Sequence, residues 1–157
     1  DLVFETALLF WSEAMAQVDA QAHMELDGDI CGADCIPRIL QGYANLYFTH
    51  RQMLIFVHEA EAYLNRSGKA LLVENKPPAP FEQSAGPLSS AIHKGIADGS
   101  VRTDIDLPSL YYNTYDALLG LIQKLAIGGR NNTADDEYAS IRLEQFCTMM
   151  EGFYRKR

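Results

Sequence analysis

Cysteine is scarce. Cys31, Cys35 and Cys147 are the only three in 157 residues, and their uneven spacing excludes the dense disulfide framework of small secreted domains, so a reducing cytoplasm is the expected compartment. Long apolar runs are missing too: no stretch reaches the roughly 18 residues a membrane-spanning helix needs, and no signal-peptide pattern opens the chain, so no membrane partner is expected. Positive charge is also in short supply. Thirteen Lys and Arg against 21 Asp and Glu leave a formal net charge of −8, which argues against a surface that grips phosphate backbones. The one dense basic cluster, Arg155, Lys156 and Arg157, sits where a helix dipole favours cations at a C-terminus. Strand alternation and internal repeats are absent as well.

What is present is helical periodicity within the length of one domain, residues 1–157, at 48 % hydrophobic and 22 % charged residues. Phe4, Leu8, Trp11, Met15, Val18 and Ala22 recur at steps of four and three, which predicts an amphipathic helix over 2–25. "LDGDICGADC" reads as a loop, with Pro37 in the first turn of a second helix that carries Ile36, Ile39, Leu40, Tyr43, Leu46 and Tyr47. Thr49 and Gln52 have capping-box spacing and predict a new start near 49–50. The Pro-rich stretch 65–80 predicts a long loop, after which Pro87 opens a helix that Gly99 ends. Asp106 caps a strongly apolar helix over 107–127, and Thr133 with Asp136 caps the last one, 134–155. The expected fold is an all-α bundle of about six helices.

The last two helices carry apolar residues on more than one side, which suggests a core contact and a second contact. The predicted second contact is made by Leu118, Leu121, Ile122 and Leu125 on the first of them and by Phe146, Met149, Met150 and Phe153 on the other. Such a pair of faces suits a homodimer.

Two stretches carry a resemblance. "IHKGIADGSVRTDIDLPSLYYNTYDALLGLIQKLA" has a helix ending at Gly99, then Arg102 and Asp104, then a long helix with Leu119, Gly120 and Leu121 in its middle; "YFTHRQMLIFVHEAE" has His50–Arg51 where a His-Pro is common. In this order and punctuation the chain resembles the C-terminal ligand-binding and dimerisation domain of the TetR family of bacterial transcription regulators. The resemblance implies a four-helix dimer interface built from the last two helices of two subunits. It also implies a small-molecule effector pocket among the preceding helices, and DNA binding, as a repressor, only through an N-terminal helix-turn-helix domain outside this chain.

Effector pockets of this kind have mostly apolar walls with a few polar groups. Trp11, Tyr47, His58 and Tyr115 combine an apolar body with a polar tip near a predicted inward stripe, and Asn113 adds an amide among tyrosines. The bland reading of each is core packing, or surface for His58.

No cofactor or metal is expected. "DGDICGADC" opens like a calcium loop, but Arg38 falls where that loop needs Glu, and Cys31 with Cys35 has no second ligand pair. Nor is an enzyme expected: Glu59 and Glu61 diverge on a helix, Ser89, Ser90 and His93 lack a nucleophile elbow, and "IGGRNNT" lacks a phosphate loop's Lys-Ser/Thr ending. The alternatives are a helical-bundle enzyme using His23, His50, His58 or His93 with carboxylates, or a ligand-free interaction domain.

Overall fold

The computed structural model describes residues 2–68, 81, 86–128 and 133–157. The expected all-α architecture is found. The helices are α1 (Leu2–Leu26), α2 (Gly32–Ala44), the single turn α3 (Leu46–Thr49), α4 (Arg51–Arg66), α5 (Pro87–Asp98), α6 (Leu107–Gly128) and α7 (Thr133–Tyr154). Among the described residues no strand forms, and one isolated antiparallel bridge pairs Val101 with Arg155. None of these helices is long and apolar enough to cross a membrane. The predicted loop over 65–80 lies mostly outside the described residues, as does Gly129.

Helix α2 is the central element and packs on α1, α5 and α7. Ile36, Ile39, Leu40 and Tyr43 are fully or almost fully buried along it, and Gly32, Ala33 and Ala44 let its neighbours approach on the remaining sides. Helix α6 lies against α4 and α3, with Leu118, Ile122 and Ala126 turned inward.

Several local expectations are corrected. Helix α2 begins five residues before Pro37, which therefore lies inside it. A helix can start there because its first N–H groups find acceptors on a distant segment: Asp98 Oδ2 takes the Gly32 N–H at 2.7 Å and Ser100 Oγ takes the Ala33 N–H at 3.0 Å. Leu46 and Tyr47 belong to α3, beyond a break at Asn45. The Thr49 capping box does not form; His50 is the N-cap of α4, and the Thr49 hydroxyl donates back to the Asn45 carbonyl at 3.1 Å. Asp136 is turned toward Arg51 and Tyr47 rather than back along its own helix.

The corner between α5 and α6 follows the expected grammar. Pro87 opens α5, Gly99 ends it in the left-handed conformation at φ 79°, and Asp106 caps α6 by accepting the Ser109 N–H at 3.1 Å.

Candidate ligand pocket and outer helix face

Tyr115 of α6 is the predicted ligand residue with the richest surroundings. Its phenol oxygen is 2.7 Å from that of Tyr43 on α2, with the rings edge to face. Tyr111 lies one turn earlier on α6 and meets Tyr115 edge-on, with centroids 5.1 Å apart, and it also touches Phe81. Phe81 in turn stacks on His93 of α5 at 4.7 Å. Helices α2, α5 and α6 thus enclose a continuous aromatic cluster. Burial pushes the Tyr43 phenol up to about 12 and the Tyr115 phenol higher still. Both remain neutral and can each donate and accept a hydrogen bond.

The other predicted ligand residues scatter. Tyr47 is buried on α3, where its ring underlies the Arg51 guanidinium at 4.3 Å and its hydroxyl donates to Asp136 Oδ1 at 3.4 Å. Trp11 is half-buried on α1 against Phe10, which also meets His50. His58 and Asn113 are exposed on α4 and α6, so the expectation that they line an enclosed pocket is corrected. Asn113 sits opposite the inward row of α6, and His58 sits at the solvent-facing flank of the inward row of α4. An open groove of about 300 Å³ lies instead between α1, α2 and α7; Glu25, Arg38, Gln41 and Glu144 line it, and none of the five predicted residues does. Among the described residues no three His, Cys, Asp or Glu side chains gather as a metal site.

The predicted outer face divides in two. Met149 and Phe153 are each 52 % exposed, and Leu121, Leu125 and Phe146 are partly exposed. Leu118 and Ile122 are at 0 % and Met150 is at 6 %, so these three face the interior of their own chain and offer nothing to a partner. Tyr138 and Ile141, about 60 % exposed, extend the outward row of α7 and were not among the predicted residues. Their spacing of three to Ile141 and eight on to Met149 is the signal that marks them.

The α5–α6 corner gathers a dense set of polar contacts away from the predicted ligand residues. Besides capping α2, it binds the chain's end: the Arg102 N–H donates to the Tyr154 carbonyl at 2.9 Å and the Lys156 N–H to the Ser100 carbonyl at 2.8 Å. Arg155 pairs with Asp34 of α2 and with Glu151. Lys94 of α5 donates to the Leu26 and Gly28 carbonyls, both at 2.9 Å, and so caps the C-terminal end of α1. Arg102 holds Asp104 in a two-pronged pair at 2.7 and 2.8 Å, which lowers the Asp104 carboxyl to about 2.

Hydrogen bonds from Ser100 and from the Gly32 N–H lower the Asp98 carboxyl from its ordinary 3.8. A carboxyl depressed in the folded state adds stability above its unfolded pKa and loses it as pH falls through the folded one. Asp98→Ala should therefore lower the urea midpoint at pH 7, and the gap to the parent chain should close below pH 3.8. An equal gap at both ends of a pH series of urea melts would show that the carboxylate charge is not what caps α2.

Comparison with known proteins finds no match among family models, curated proteins or solved structures.

Proposed function

We propose that the chain is the effector-sensing and dimerisation domain of a TetR-like transcription repressor. It would act without catalysis or cofactor, and DNA would be read by a helix-turn-helix domain outside this chain. The observation that carries the reading is the outer face of α6 and α7. There Tyr138, Ile141, Met149 and Phe153 are all at least half exposed on one helix. Gly152 adjoins this row on α7 and Gly120 adjoins Leu121 on α6, and among the described residues a Cβ added to either would meet nothing within 4 Å. Glycine inside a helix costs about 1 kcal/mol relative to alanine. Among the described residues no crowding accounts for either glycine, and close approach by a second copy of the same helices is what we propose instead.

The cluster of Tyr43, Tyr111 and Tyr115 brings apolar ring faces and hydroxyl groups together between α2 and α6, chemistry that suits a small aromatic effector. Such a ligand controls DNA binding if it favours one spacing of the two subunits, and a complete switch needs about 5.5 kcal/mol of preference.

Light scattering at micromolar concentration tests the dimer. The parent chain should have twice the mass of its monomer, and the double variant Met149→Asp, Phe153→Asp should run at the single mass with unchanged helical circular dichroism. A monomeric parent chain would remove the basis of this reading.

A further inference from the structure

Neither the aromatic cluster nor the outer face makes use of Arg51. Its side chain is only 12 % exposed, its guanidinium lies over the Tyr47 ring at 4.3 Å, and one of its nitrogens donates to Asp136 Oδ1 on the first turn of α7. A guanidinium carries five N–H donors in a planar fork. Among the described residues no other acceptor takes the rest of them, and none of these nitrogens is both fully buried and unpaired. Their open edges therefore reach solvent, while the stem and one ring face are held by protein.

Asp136 is open to exchange with solvent and with other anions. Its side chain is 45 % exposed, it meets Arg51 through one oxygen, and its other described partner, the Tyr47 hydroxyl, is 3.4 Å away. A carboxylate that meets a guanidinium through both oxygens gains geometry and strength over one that meets it through a single oxygen. Phe48, edge-on to Tyr47 at 4.9 Å and 41 % exposed, adds an apolar surface next to the ring that carries the cation.

We propose that Arg51 is the anchor for a small organic carboxylate, and that Asp136 is the internal carboxylate that occupies it when the ligand is absent. One cation with an acidic neighbour matches a single negative charge better than a phosphate, which brings more charge into a chain of net −8. This inference rests on the sensor reading, since exchange at Arg51 frees the first turn of α7, the helix that carries the exposed apolar row. Ligand binding and dimerisation are then coupled, each changing the other's equilibrium by the same factor.

Calorimetric titration of the full chain with benzoate, benzyl alcohol and inorganic phosphate tests it. Benzoate should bind at least tenfold more tightly than the other two. Arg51→Gln should weaken benzoate at least tenfold, Arg51→Lys should weaken it less, and Asp136→Asn should strengthen it several-fold by removing the competitor. Circular dichroism checks folding, and if Arg51→Gln does not fold, Asp136→Asn decides. Equal benzoate affinity in Arg51→Gln, no gain in Asp136→Asn, or phosphate or benzyl alcohol matching benzoate each overturns the proposal. The mass of the same samples keeps the two readings apart: a dimer that ignores benzoate overturns only the Arg51 anchor, and a monomer that binds it through Arg51 overturns only the dimer.

Discussion

Gly32→Ala should be among the most damaging single substitutions in the chain. An added Cβ would fall 2.0 Å from the Gly95 nitrogen, 2.3 Å from the Gly95 Cα and 2.6 Å from the Ala91 carbonyl oxygen. All three are backbone atoms of α5, so no rotamer change relieves the clash and the two helices must move apart. Separation then breaks the Asp98 and Ser100 caps on α2 and opens the contact around Ala33, Leu88 and Ile92, all at 0 % exposure. Overpacking alone costs about 1–3 kcal/mol, and the lost caps raise the expected total to roughly 3–5 kcal/mol. For a chain of this size that is a fall of roughly 10 °C or more in melting temperature. Gly28→Ala is the control, because its Cβ would make only an ordinary contact at 3.5 Å. A Gly32→Ala chain melting within about two degrees of that control would mean that α2 and α5 do not cross so closely.

The same joint shows where the sequence stops being legible. Gly99, Asp106 and Pro87 act through their immediate neighbours, so their turn and cap roles are readable from local chemistry. Asp98 and Ser100 stand in that same stretch but cap a helix that begins 66 residues earlier. Nothing local marks them, so the sequence puts the start of α2 near Pro37, where the nearest recognisable signal lies. Asp136 has the spacing of a capping residue, yet an arginine 85 positions away takes it. Of the expected ligand residues, Tyr115 and Tyr47 sit on inward rows and meet polar partners there. His58 lies within a turn of the inward row of α4 and Asn113 stands among tyrosines, but nearness to a row does not turn a side chain inward, and both face solvent.

Leu118→Asp should unfold the chain rather than merely alter its association. Apolar residues on two sides of α6 leave open which row meets the core, and the structure settles it: Leu118 and Ile122 are at 0 % exposure, on the same side as Tyr111 and Thr114. Truncating a buried leucine costs about 2–5 kcal/mol, and an unpaired carboxylate in its place adds a desolvation penalty of several more. That sum approaches the whole stability of a typical domain, about 5–15 kcal/mol. Circular dichroism should therefore show lost helix, or a molten state, at 25 °C. Leu121, three positions on, is partly exposed, and Leu121→Asp should keep its helix content. On the dimer reading, Leu121→Asp weakens the dimer, because the new charge lies at the edge of the outward face, where Leu121 is only partly buried against the core. The two neighbouring substitutions thus separate folding from association: a folded, monomeric Leu118→Asp chain would put the interface on the row that the structure assigns to the core.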